Sequence, residues 1–372
     1  MFVHTGFYTE HNSNDLLQST YYTFTPIPLT DSKFYDTDDE LAAMLADAHR
    51  ALGVLDGVVS LTADCEQIAD LILLRESYYS KAIDYPDTDT RSIFGERCES
   101  AAYKDIRNIA TAYRLAIDEK AKKQDRNSIF NNALHGNNPA RRASTRTKPL
   151  FMRKSTVNYR QYNPTAPDEI WRAMSDINQY IDTNRSDTLI KAAMCHYQFE
   201  MIHPYDCYNG IVGRILIYQM LNKARLNGAR FLSPSVQLYH HKAEYFDKLE
   251  STQKNGNYAA WIRFVISVIT EAAQQGVDFI KHYNAFSKQE EESVSERPQS
   301  RADQTINVFK YFKKVVVSSI GEASEQLEIS FPTASRAVAI LQELGVLAQI
   351  SEGSRNRIFA HVKLWKWFTS PE

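Results

Sequence analysis

The chain is poor in cysteine, in net charge and in long apolar runs, and each shortage narrows what the protein can be. Its four cysteines, Cys65, Cys98, Cys195 and Cys207, form no CxxC pair and no Cys/His cluster. No zinc site is therefore expected, and the thiols read as reduced and mostly buried. The formal charge of −2 gives no overall pull toward nucleic acid or lipid, so any such surface has to be local. No apolar run approaches the roughly 20 residues that cross a bilayer. The opening residues MFVHTGFYTEHNSNDLLQ lack a charged start, an apolar centre and a small-residue cleavage site. No membrane is expected as a partner, and a cytoplasmic location is the default.

What is present is length and helical periodicity. At 372 residues the chain exceeds one compact core, so two or three are expected. Residues 1 to 35 read as an extended arm, because Pro26 and Pro28 in TFTPIPL forbid a helix interior. From Thr37 to Leu52 the residues Leu41, Met44, Leu45, Ala48 and Leu52 recur at three- and four-residue spacing behind a Thr-Asp-Asp-Glu start, which predicts a capped helix. Residues 64–82, 95–122, 168–183, 187–201, 211–226 and 259–283 repeat that pattern. Between about 125 and 160 the pattern breaks into Asn, Ser, Gly and the basic run Arg141-Arg142-Ala143-Ser144-Thr145-Arg146-Thr147-Lys148. That run is either a solvated loop or a phosphate-binding one.

Apolar content collapses again over Ser287 to Ser300, which predicts a linker at 287–302. Beyond it the spacing predicts helices over 303–317, 319–327 and 332–344, with Gly345 ending the third. Two strands, Val346–Ile350 and Arg357–His361, follow across a polar turn. Three helices and a hairpin resemble a winged helix-turn-helix, whose third helix enters a major groove. Thr333, Ser335 and Arg336 lie on that helix and Arg355 and Arg357 on the wing, so DNA is one expected partner. A dimerisation or protein-docking module is the other reading.

The chemistry concentrates in His203-Pro204-Tyr205-Asp206-Cys207-Tyr208-Asn209-Gly210-Ile211-Val212-Gly213-Arg214. This loop joins two apolar helices, and the second begins within it. Free N–H groups and the dipole at a helix start attract phosphate oxygens. Asn209 and Gly210 tolerate the backbone angles of an anion-holding turn. Arg214 has the fork to hold an anion by two bonds, and His203 is placed to take a proton from an attacking hydroxyl. A purely structural His-Pro turn is the alternative.

The approach Ile190-Lys191-Ala192-Ala193-Met194-Cys195-His196-Tyr197-Gln198-Phe199-Glu200-Met201-Ile202 and this loop closely resemble Fic-domain proteins, whose motif is HxFx(D/E)GNGRxxR. Leu232-Ser233-Pro234, Tyr245-Phe246-Asp247-Lys248-Leu249 and Tyr258-Ala259-Ala260-Trp261-Ile262 resemble their downstream helices. The arm and the C-terminal module also resemble a bacterial subgroup, so the likeness runs over nearly the whole chain. It implies a mainly α fold with a β-hairpin flap and a C-terminal winged helix. The implied regions are an arm and helical part at 1–125, a Fic core at 126–286, the linker at 287–302 and the winged helix at 303–372. It further implies transfer of AMP from ATP, with Mg²⁺, to a Ser, Thr or Tyr hydroxyl of a protein. His203 would be the general base, and Asn209, Gly210, Gly213 and Arg214 would bind nucleotide.

The match is incomplete. Cys207 stands at the metal-binding acid, Tyr208 at the first glycine and Ile211 at the first arginine. A thiol is a poor partner for a hard cation, and Asp206 lies one position early. Upstream, Ser80-Lys81-Ala82-Ile83-Asp84-Tyr85 resembles the family's inhibitory (S/T)xxxE(G/N) helix. Asp84 would then pair with Arg214, or it is a plain helix-end acid. Lys154 to Tyr159 falls where the family places its flap. Two functions follow as expectations: an AMP-transferring enzyme acting on itself or another protein, or a degenerate Fic scaffold whose C-terminal module binds DNA or protein. A homodimer is left open.

Overall fold

The computed structural model describes residues 5–12, 20–31, 34–89, 93–94, 101–117, 126–136, 144–151, 163–223, 227–296, 299–353 and 356–369. Flap residues 154–159 and wing residue Arg355 lie outside these. The fold is mainly helical with two small antiparallel sheets, and contacts divide it into two units. One comprises residues 1–60, 72–87 and 105–276, the other 61–71, 88–104 and 277–372.

The first unit opens on a hairpin, β1 (Gly6–Asn12) and β2 (Thr20–Pro26), registered Gly6 to Pro26 and Asn12 to Thr20. The arm is thus extended but paired. Its second half is the buried part, since Thr23 and Phe24 are buried while Tyr22 is half exposed. Next come α1 (Asp39–Ser60), α2 (Cys65–Asp84), α3 (Ala101–Ile117) and α4 (Arg126–Leu134). The Asp38 carboxylate caps α1 by accepting from Leu41 N at 2.8 Å, which satisfies an otherwise orphaned N–H. α4 lies inside the stretch expected as loop; Phe130, Ala133 and Leu134 are buried, an apolar face too short to stand out among its Asn neighbours.

The centre is α6 (Thr188–Ile202), buried on every side from Leu189 to Ile202. A helix apolar all round belongs inside a core. α5 (Ile170–Thr183) and α7 (Asn209–Lys223) pack against it, and Trp261 Nε1 donates to Ala193 O at 2.8 Å. α8 (Pro234–His240) and α9 (Lys242–Asn255) follow, then the long α10 (Tyr258–Ser295).

The helix α10 corrects the expected linker. Residues 287–295 continue it, and α11 (Gln299–Val315) starts three residues after Glu296. The charged text is a helix surface with partners: Glu290 lies 3.1 Å from His361 and from Lys363, Lys313 donates to Ser287 at 2.6 Å, and Val294 is fully buried. The remainder is β3 (Val317–Ser319), α12 (Ile320–Gln326), α13 (Phe331–Glu343), β4 (Leu347–Gln349), β5 (Ile358–His361) and α14 (Val362–Thr369), with the sheet ordered β3-β5-β4. β3 and α14 were not expected. Ser319 and Glu322 form a reciprocal capping box on α12, and Gly345, at φ 70°, ends α13 as read from the sequence. Val308, Phe309, Phe312, Ala334, Val338 and Phe359 share one core; each buried phenylalanine contributes roughly 2 kcal/mol.

Candidate functional site

α6 ends where His203 turns into the left-handed region at φ 46°. The loop then runs to Tyr208, at φ 63°, and α7 begins at Asn209. A tyrosine in that region is strained, on the order of 1–2 kcal/mol. The loop therefore keeps the conformation that glycine would give it, so the tyrosine strains the turn without abolishing it. The Asn209 amide closes the loop as a bracket: Tyr205 N donates to Oδ1 at 2.9 Å, and Nδ2 donates to Tyr205 O at 2.8 Å. That side chain shapes the turn, which leaves the helix N–H groups to meet an anion.

From outside, the loop is clipped by Arg146, which is 2 % exposed. Its Nε donates to His203 O at 2.8 Å and its other nitrogens to the carbonyls of Ile202, Lys148 and Thr165. Burial lowers its pKa to about 10, with Asp206 opposing. Of the basic run, this residue is neither solvated nor phosphate-binding: its guanidinium is occupied by backbone. Arg146→Ala would leave four carbonyls short of a donor and is expected to cost about 3 kcal/mol. Arg146→Lys should recover less than half of that in a melting experiment, because one ammonium cannot reproduce the fork.

His203 is 7 % exposed, and its Nδ1 lies 2.6 Å from Glu200 O. A carbonyl only accepts, so Nδ1 carries the hydrogen and Nε2 is the nitrogen that takes up a proton. The Glu200 carboxylate lies 3.9 Å from Nε2. Gly213 is required by packing: a Cβ there would sit 2.8 Å from Glu200 Oε1 and 3.0 Å from His196 Nδ1.

Arg214, 2 % exposed, donates from Nε to Ser80 Oγ at 2.9 Å and from Nη2 to Ser80 O at 2.6 Å and Asp84 Oδ2 at 2.7 Å. Burial opposes its charge and the Asp84 carboxylate more than offsets this, so the pKa is raised overall. The same carboxylate covers the start of α7, for a Cβ on Gly210 would meet its oxygens at 2.8 and 2.9 Å. Asp84 therefore stands where an incoming anion would meet both the helix start and the arginine. Lys242, at the head of α9, lies in the field of Asp84 and Arg214, and burial lowers its pKa.

Sequence reading missed Glu76, which precedes Ser80 and Asp84 by four and eight residues on the same face of α2. It is 1 % exposed and accepts from Ser235 N and Tyr113 OH, each at 2.9 Å, and from Ser235 Oγ at 2.5 Å. Burial raises its pKa to about 7. The four-residue spacing carried that signal. Of the replaced positions, Ile211 is fully buried and Cys207 Sγ lies 3.7 Å from His135 Nε2. In the other unit Thr333 and Ser335 are partly buried and Arg336 is exposed. The Thr333 hydroxyl lies 2.8 Å from that of Ser330, and Arg357 lies over the Phe359 ring at 5.5 Å.

The stretch from α4 through most of α7 is also where known proteins match. Residues 129–221 match the Fic/DOC family model. The whole-chain fold is similar to a Fic family protein from Desulfovibrio desulfuricans, at 16 % identity and TM-score 0.56, over 89 % of this chain and 98 % of that one. A Fic domain containing signaling protein from Bacteroides thetaiotaomicron matches at 15 % identity and TM-score 0.48, over 63 % of this chain and 98 % of the other. Within the matched stretch, Arg146 and Asn209 hold the loop in shape, and Gly210 and Arg214 lie against Asp84.

Proposed function

We propose that this Fic protein transfers AMP from ATP to a protein hydroxyl, and that Asp84 holds the reaction back. The observation that supports this reading is the orientation of His203, whose Nδ1 hydrogen is committed to Glu200 O at 2.6 Å, which assigns proton uptake to Nε2. The hydroxyl oxygen would attack the α-phosphorus and pyrophosphate would leave. His203 would hold the proton, and the first-turn N–H groups of α7 and Arg214 would bear the negative charge.

Mg²⁺ is the family's expected companion to ATP, and the residues present do not fit it. The thiol of Cys207 replaces the carboxylate and faces His135, a soft pairing unsuited to a hard cation. Among the described residues no group of three His, Cys, Asp or Glu side chains could hold a metal. No step is therefore assigned to a metal, and a slow reaction is expected.

The test is incubation with α-labelled ATP, CTP, GTP and UTP, comparing the native chain with Asp84→Ala, His203→Ala and the double variant. Label is expected at background for the native chain and well above it for Asp84→Ala, from ATP foremost. It should vanish with His203→Ala. Label that survives His203→Ala rejects the base, and no label from any nucleotide rejects the reaction.

A second reading rests on Cys207 and on Ile211, which is buried where a γ-phosphate arginine would stand. In it the chain is a Fic scaffold whose residues 299–369 form a winged helix that presents Thr333, Ser335, Arg336 and Arg357 to DNA or to a protein. Salt-dependent retention of duplex DNA by the full chain, lost in Arg336→Ala, would favour DNA. Among the described residues no helix is long and apolar enough to cross a membrane.

A further inference from the structure

We infer that the groove between the β1–β2 hairpin and α5 is a docking site for an extended, basic segment of a partner protein with an aromatic or aliphatic anchor. The inference does not rest on the proposed transfer reaction. The groove has a volume of about 540 Å³ and runs from Phe7, Thr9 and His11 on one face of β1 to Asp168, Trp171 and Arg172 at the start of α5. Two of its lining side chains are apolar and largely exposed: Trp171 is 80 % exposed and Phe7 56 %.

Most of the protein's large apolar side chains are buried, so an indole this exposed, facing a phenylalanine across a cleft, marks a contact surface. Trp171 is not needed by α5, which already buries Ile170, Ala173, Ile177, Tyr180 and Ile181. Nor is the groove a by-product of loose packing. Asp176 pins its floor, accepting from Leu29 N at 2.7 Å and from the Thr30 hydroxyl at 2.6 Å.

Charge selects the occupant. Asp31, Asp168, Glu169 and Asp176 line the groove against one arginine, Arg172, and that arginine is itself 3.8 Å from Glu169. With the floor aspartate held by backbone donors, the mouth still carries more negative than positive charge. Phosphate backbones and anionic lipid would be repelled, whereas lysine or arginine flanking an apolar anchor would be attracted. The straight wall of β1, alternating Phe7, Thr9 and His11 along one face, suits an extended segment better than a helix.

The experiment titrates the full-length native chain with two synthetic decapeptides, one alternating lysine and leucine, the other alternating glutamate and leucine, following tryptophan emission and peptide anisotropy. The lysine peptide is expected to bind in a salt-sensitive way and the glutamate peptide not to. Trp171→Ala should weaken binding by about 30-fold, as for a hot-spot aromatic. Asp168→Lys with Glu169→Lys should weaken it about tenfold. These positions are exposed or partly so, and unchanged melting would establish that the variants fold. Binding of neither peptide, equal binding of both, or lysine-peptide binding untouched by both variants overturns the inference. So does a dimer that Trp171→Ala converts to monomer without any peptide binding, since a second copy would then be the occupant.

Discussion

Asparagine in place of Asp84 is expected to lower stability by about 2–3 kcal/mol and, in the same molecule, to tighten binding of ATP or its non-hydrolysable analogues at least tenfold. The two effects have one origin. Arg214 is 2 % exposed, and removing a partner from a buried ion pair costs about 3–5 kcal/mol because the remaining charge is stranded. The lower end applies here, since the Asp84 side chain is 27 % exposed and Arg214 keeps its two bonds to Ser80. The gain in affinity follows from the same stranded charge. A carboxylate against Gly210 repels a phosphate at that helix start by about 4 kcal/mol at 4 Å with an effective dielectric of 20. One third of that figure already corresponds to a tenfold change. A cycle of Asp84→Asn, Arg214→Gln and the double variant, followed by melting, should give a coupling energy above about 1 kcal/mol. Additive losses would mean that the two side chains merely coexist, and unchanged nucleotide affinity in Asp84→Asn would remove the gate from the proposed function.

Much of this site was legible in the amino-acid sequence because helical spacing does not depend on tertiary context. Ser80 and Asp84 share a face by their four-residue separation, and Glu76 extends it. The loop from His203 to Arg214 announced itself through residue types that only a turn and a helix start would favour. Arg146 was not legible. Within Arg141-Arg142-Ala143-Ser144-Thr145-Arg146-Thr147-Lys148 nothing local distinguishes the arginine whose fork meets four carbonyls, since those carbonyls belong to residues 148, 165, 202 and 203. The expected linker failed for a related reason. Composition counts Glu290, Glu291 and Glu292 as solvated, whereas position on the helix decides which of them meets His361 and Lys363. Tyr208 shows the converse: a residue disfavoured at φ 63° still adopts it, because the Asn209 bracket and the Arg146 clip fix the loop around it.

Glu76 gives the site a dependence on pH whose direction is fixed by burial. Its carboxyl has an ordinary pKa of 4.5 and is raised to about 7 in the fold, burial outweighing the bonds from Ser235 and Tyr113. Between those values the unfolded chain has released this proton while the native chain retains it. The folded state therefore loses stability as pH rises from about 4.5 to about 7, by roughly 3 kcal/mol in all, and the loss is complete above that window. Glu290 has the opposite sign: burial raises its pKa, but His361 and Lys363 lower it further, so it is depressed overall. Its contribution is lost only on the acid side of 4.5, and the two windows do not overlap. Glu76→Gln keeps an acceptor for Ser235 N and carries no charge, so its melting temperature should stay level across pH 5 to 8 where the native chain declines. The two proteins should converge near pH 5, with the variant the more stable at pH 8. An identical decline in both would show that Glu76 is ionised in the fold throughout. Its neighbours Tyr113 and Ser80 also meet through a bond of 3.3 Å, so ionisation of Glu76 reaches the hydroxyl that Arg214 holds. Nucleotide affinity of the native chain should accordingly change across the same window, and Glu76→Gln should abolish that change.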